Sequence, residues 1–118
     1  MTTKELTERT FQFGIRVVRA VESLPKTDTA RTLGKQLLLA GISVGANYRA
    51  AARARSRADF VAKLGIVEEE CDETIYWMEM VLELKLLKAA QLAKLLLEAN
   101  ELLAIVASIK TARRVRRR

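Results

Sequence analysis

Apolar residues recur at intervals of three and four along almost the whole chain, the spacing that gathers side chains on one face of an α-helix. From about Thr7 to Leu24 they are Phe11, Ile15, Val18 and Val21, a first predicted helix weakened by Gly14 and stopped by Pro25, whose ring cannot continue it. After the segment PKTDT, with Asp28 or Thr29 expected as the cap, Leu33, Leu37, Gly41, Val44 and Tyr48 form a heptad seam through about Arg53. Ser56 is expected to cap a third helix, with Asp59 three positions on as a short form of the capping box. Phe60, Leu64, Val67, Cys71, Ile75 and Met78 carry its inward face to about Leu84. The pattern loses phase between Leu86 and Ala90 without a Gly or Pro. A fourth helix then places Leu92, Leu95, Leu96, Ala99, Leu102, Leu103, Val106 and Ile109 on one broad face and ends near Ala112.

Four helices of roughly 27 to 42 Å, at about 1.5 Å per residue and joined by short connections, predict an all-α, antiparallel up-and-down four-helix bundle. The 118 residues, half of them apolar, suffice for one core and not for two. Five glycines and one proline leave little material for the turns of a sheet. A single domain over residues 1–112 is expected, followed by a flexible Arg-rich tail at 113–118.

The hairpin of helices 2 and 3 carries more specification than one core requires. Folding it at Arg55 and Ser56 sets Tyr48 near Leu64, Val44 near Val67 and Gly41 near Cys71. Gly41 and Gly45 each lose about 1 kcal/mol of helix propensity, which a close approach of another backbone would offset. Asn47 in the same stretch is a poor helix former whose amide, if buried, would fix register by penalising misaligned packing. Helix 3 has a second stripe beside its core seam: Lys63, Ile66, Glu70, Glu73 and Trp77. Ile66, Glu70, Glu73 and Trp77 therefore read as a contact face for another subunit in a closed homo-oligomer. The alternative is a solvated charged flank with one exposed tryptophan.

The net charge of +7 suits an acidic partner, but it is local. Five of the 21 basic residues stand at 113–118, leaving 16 against 14 acidic ones elsewhere. Arg49, Arg53 and Arg57 follow one another every four residues, joined by Arg55 and Lys63 near the same bundle end, with Arg113, Arg114, Arg116, Arg117 and Arg118 as an additional arm. This set is the candidate RNA- or DNA-binding surface, expected to be sensitive to salt and indifferent to base sequence. In a second reading Arg49 and Arg53 pair with Glu70 or Glu73, and the chain is a structural or protein-interaction module. Catalysis has little to stand on. The chain has no histidine and one cysteine, Cys71, expected to be buried and inert, so His-based triads and the common zinc sites are excluded. Glu68, Glu69, Glu70, Asp72 and Glu73 lack a second acidic helix to complete a metal centre. No enzyme, no cofactor and no metal are expected. No signal-peptide core and no run of about 18 apolar residues occur, so a cytoplasmic protein is expected, and Val115 alone gives the tail too little apolar area for a membrane.

The run GISVGANYRAAARARSRADFVAKLGIVEEECDETIYWM resembles the four-helix bundle family named for intervening sequences in bacterial large-subunit ribosomal RNA genes. Its relatives include accessory variability proteins of diversity-generating retroelements. The resemblance extends from about Phe11 to Ile109 and is most specific between Ser43 and Trp77. It implies an up-and-down bundle assembled as a homopentamer around a channel. For the accessory proteins it also implies nucleic-acid binding and contact with a reverse transcriptase.

Overall fold

The computed structural model describes residues 1–115 and contains four helices: α1 (Thr3–Glu22), α2 (Asp28–Ala52), α3 (Arg57–Glu83) and α4 (Ala89–Val115). The helix ends follow from local chemistry. Thr2 and Glu5 form a reciprocal capping box, Thr2 Oγ1 accepting from the Glu5 amide at 3.1 Å and Glu5 Oε1 from the Thr2 amide at 2.9 Å, so α1 starts four residues before the expected Thr7. Thr27 caps α2 one residue earlier than expected, accepting from the Ala30 amide at 3.1 Å. Ser56 caps α3 as its sequence predicts, at 3.0 Å from the Asp59 amide.

The loss of phase after Leu84 is a real helix end built without glycine. Lys85 adopts a left-handed φ of 56°, its amide donates to Leu82 O and the Leu86 amide to Val81 O, the two bonds of a Schellman motif. At its far end α4 continues to Val115, three residues past the expected Ala112. Arg113 and Arg114 thus belong to a helix, while Arg116, Arg117 and Arg118 lie outside the described residues.

Each helix packs on the next, and α1 returns to α4, which closes a bundle measuring 50 × 20 × 20 Å. Between α1 and α2 the contacts run in opposite order, Gly45 meeting Thr10, Gly41 meeting Val17 and Gly34 meeting Leu24, so the two helices are antiparallel. Lys110 reaches Glu68 while Arg113 reaches Phe60, which sets α4 antiparallel to α3. A connection of only four residues, 53–56, folds α3 back along α2.

The expected inward faces of α2, α3 and α4 are the observed ones. Leu37, Val44, Tyr48, Leu64, Val67, Cys71, Met78, Leu92, Ala99, Leu102 and Val106 are all buried. Burial, then the charge of Glu68, pushes the Cys71 thiol up to about 12, so it stays protonated and unreactive. Helix α1 departs from expectation. Its core stripe is Leu6, Phe13 and Val17, one step round from Phe11, Ile15 and Val18, and Phe11 is 57% exposed. Thr10 and Gly14 lie on the buried face between these residues and conceal its period in the sequence. Thr10 can occupy it because its hydroxyl donates to Thr7 O at 3.1 Å.

A second correction concerns the glycines. A methyl group on Gly45 would come within 3.0 Å of the Thr10 carbonyl oxygen, and one on Gly41 would strike Val17. The nearest neighbours of both glycines are therefore in α1.

Candidate nucleic-acid interface

The C-terminal turns of α2 and α4 and the N-terminal turn of α3 meet at one end of the bundle. Arg49 stands in the last turn of α2, Arg53 is its C-cap, Arg55 lies in the connection, Arg57 opens α3, and Arg113 and Arg114 end α4. The guanidinium of Arg113 sits 5.1 Å from the centroid of the Phe60 ring, and its charge also reaches the Tyr48 phenol. Burial raises the Tyr48 hydroxyl above its usual range while a hydrogen bond with Thr3 opposes the shift. Residues far apart in sequence thus share one surface.

The cations of this surface are not equivalent. Lys63 is held by Asp59 one turn earlier, at 2.5 Å. That bond is the main reason the Asp59 carboxyl stays below its ordinary range, with Arg55 contributing its backbone amide and its charge. Arg57 is engaged within the structure. Arg49, Arg53 and Arg114 are exposed and form no ion pair among the described residues. Pairing of Arg49 or Arg53 with Glu70 or Glu73 inside the chain does not occur. Glu73 accepts instead from the Trp77 indole at 3.3 Å.

Helix dipoles account for part of this set. Arg49, Arg113 and Arg114 stand at helix C-termini, where a cation is favoured by about 0.3–1 kcal/mol. Arg55 and Arg57 flank the N-terminus of α3, where the dipole opposes them. An incoming phosphate would meet both those side chains and the positive helix end.

Along the flank of α3, Ile66 is 44% exposed and Trp77 is half-buried against the core, its ring edge-on to Tyr76 at 4.9 Å. Burial, then repulsion from Glu73 and Glu69, raises the Glu70 carboxyl above its ordinary range. The stripe is neither a fully solvated flank nor a closed one. Asn47 is half-buried and its amide donates to Ser43 O at 2.8 Å, within its own helix.

Three features escaped the sequence pattern. Arg9 of α1 grips Glu98 of α4 through both oxygens at 2.7 Å and reaches Glu101 at 2.9 Å, and the bond to Glu98 raises its already high pKa. Nothing in the local spacing announces partners 89 residues apart. Phe11, Leu39 and Ile42 are exposed, as 57%, 47% and 42% of their surface attests. A cleft between α1 and α4 brings together Arg16, Arg19 and Lys94. Among the described residues no three carboxylate, cysteine or histidine side chains gather as a metal site, and Glu68 of the acidic run is bound to Lys110. No helix of the described residues is long and apolar enough to cross a membrane.

This geometry defines an all-α four-helix bundle whose cationic side chains concentrate where three helix ends meet. The family model for the 23S rRNA-intervening sequence protein matches residues 3–108, and the chain belongs to that family. It is also similar to a crystal structure of a protein of unknown function from the S23 ribosomal protein family of Bacteroides thetaiotaomicron. That likeness has a TM-score of 0.87 and 31% identity, and it covers 94% of this chain and 99% of the other. A search of curated proteins finds no match.

Proposed function

We propose that this protein is a non-catalytic nucleic-acid-binding scaffold that holds RNA or DNA phosphates at the bundle end formed by Arg49, Arg53, Arg55, Arg57, Arg113 and Arg114. The observation that carries this reading is the placement of cations around the α3 N-terminus, against its dipole and beside exposed arginines that no carboxylate of the described residues neutralises. Membership of a family named for an rRNA intervening sequence is consistent with an RNA partner. The chain acts in the cytoplasm as a homo-oligomer, a pentamer if it follows the resemblance, with the Ile66 and Trp77 flank as the contact between copies. Five copies multiply the phosphate contacts on one assembly. A reverse transcriptase is the protein partner implied by the resemblance to accessory variability proteins.

Binding of a labelled RNA duplex, measured from low to moderate salt, tests the reading together with light scattering for mass. Three to four phosphate contacts per chain give a log–log salt slope of about −3 for a duplex. Substituting Arg53 should flatten the slope by about one. An affinity that ignores salt, or no binding at low salt, refutes it. A structural module is the second reading, favoured by the exposed Ile66, and it predicts that Glu73→Ala dissolves the oligomer while Arg53→Ala leaves any RNA affinity unchanged.

A further inference from the structure

Away from the cationic end, where the last turns of α1 pass the first turns of α4, the two helices part around a cleft of about 420 Å³. That volume lies in the usual range of small-molecule sites, about 300–1,000 Å³. Arg16, Arg19 and Lys94 line it, and no carboxylate does. None of the three forms an ion pair among the described residues. The acids of α4 that stand nearest along the same seam, Glu98 and Glu101, are already bound by Arg9, about two turns before Arg16. Three like charges thus share one concavity that no carboxylate of the described residues lines.

The floor of the cleft is apolar. Leu87 and Leu95 reach it with only 7% and 5% of their surface exposed. The first turn of α4 also borders it through Gln91, whose side-chain oxygen accepts the Lys88 amide at 2.7 Å. The positive end of a 27-residue helix therefore adds to the three side-chain charges. A cationic rim over a greasy floor is the complement of a phosphate attached to an apolar, flat group.

We propose that the α1/α4 cleft binds a nucleotide phosphate, held by Arg16, Arg19 and Lys94, with the flat face of the base laid against Leu87 and Leu95. The nucleotide comes either free in solution or as one unit of a strand, and both supply the same chemistry. The site is separate from the Arg49 and Arg53 surface and does not depend on it.

Calorimetric titration with AMP, inorganic phosphate and a short single-stranded RNA tests the site, using the full chain, Arg16→Gln/Lys94→Gln and Arg49→Gln/Arg53→Gln. All four substituted residues are exposed, and circular dichroism checks that each variant is folded. AMP should bind more tightly than phosphate, and Arg16→Gln/Lys94→Gln should weaken it about tenfold or more, the loss expected for charge-assisted contacts. Arg49→Gln/Arg53→Gln should leave AMP binding unchanged. If AMP does not bind but RNA affinity falls in Arg16→Gln/Lys94→Gln, the phosphate is that of a strand and the site stands. Equal affinity for AMP and phosphate overturns the role of the apolar floor. Indifference of both AMP and RNA to Arg16→Gln/Lys94→Gln overturns the proposal.

Discussion

Replacing Gly41 by alanine and, separately, Gly65 by alanine makes the same chemical change in two helix interiors and should move stability in opposite directions. In either helix the methyl group recovers about 1 kcal/mol of propensity. At Gly65 nothing lies within 4 Å of the added carbon, so the gain is kept. At Gly41 the new carbon would stand 2.5, 2.7 and 2.8 Å from Cγ1, Cγ2 and Cβ of Val17, against a comfortable carbon separation of about 3.5–4.0 Å. Val17 is fully buried, and a β-branched side chain in a helix has essentially one rotamer, so it cannot turn aside. Overpacking of this kind costs about 1–3 kcal/mol, and contact with three atoms of a stiff residue belongs at the upper end. Gly41→Ala should therefore lose about 2 kcal/mol net, a sizeable share of the 5–15 kcal/mol typical of a domain. Urea unfolding followed by circular dichroism reads the difference as a midpoint shift at constant slope. In a Val17→Ala background Cγ1 and Cγ2 are gone but Cβ remains at 2.8 Å, so the penalty of Gly41→Ala should shrink without vanishing, a coupling of about 1 kcal/mol. If Gly41→Ala is as stable as the parent, the close seam between α1 and α2 is wrong.

Two further substitutions probe local strain and charge. Lys85 holds a φ of 56°, a conformation that costs an L-residue about 1–2 kcal/mol, so Lys85→Gly should raise the unfolding midpoint by the equivalent of about 1 kcal/mol, and a lower midpoint would contradict the Schellman end of α3. Glu70 has a raised pKa in the folded state, so the native chain binds more protons than the unfolded one just above the ordinary carboxylate range, and stability falls as pH rises through that window. Glu70→Gln should remove this slope and leave the isolated chain slightly more stable at neutral pH; an unchanged slope would show that Glu70 is not its source.

How much of this was legible in the chain depended on which side chains form the buried faces. On α2, α3 and α4 large aliphatic residues such as Leu37, Leu64 and Leu102 mark the core, and their spacing can be read directly. On α1 the buried face includes Thr10 and Gly14, so a count of apolar residues selects Phe11 and its neighbours instead. Ser56 was recognisable as a cap, and Thr2 with Glu5 carries the same signature two helices earlier. Lys85 was not, because left-handed geometry at a lysine has no compositional trace. The arginines of 49–57 are neighbours in sequence and so were visible as a cluster. The clamp of Arg9 on Glu98 and the meeting of Arg16 with Lys94 arise only when the bundle closes, and no local pattern encodes them.

The two classes of arginine at the cationic end give a last test, because stability and binding should separate differently at each. Arg49 lies at the C-terminus of α2, where removing its charge forfeits a dipole interaction of about 0.3–1 kcal/mol. Arg55 lies just before the α3 N-cap, where the dipole opposes it and the attraction to Asp59 is an exposed, weak offset. Arg49→Gln should thus lower both stability and RNA affinity, whereas Arg55→Gln should leave stability within about 0.5 kcal/mol while still weakening RNA binding. Unfolding midpoints and salt-dependent affinities on the same preparations decide it. A residue that adds nothing to the fold and still carries binding free energy is there for the ligand. If Arg55→Gln instead destabilises the bundle and leaves RNA affinity intact, the cations around α3 serve packing or assembly, and the phosphate-binding account of this surface fails.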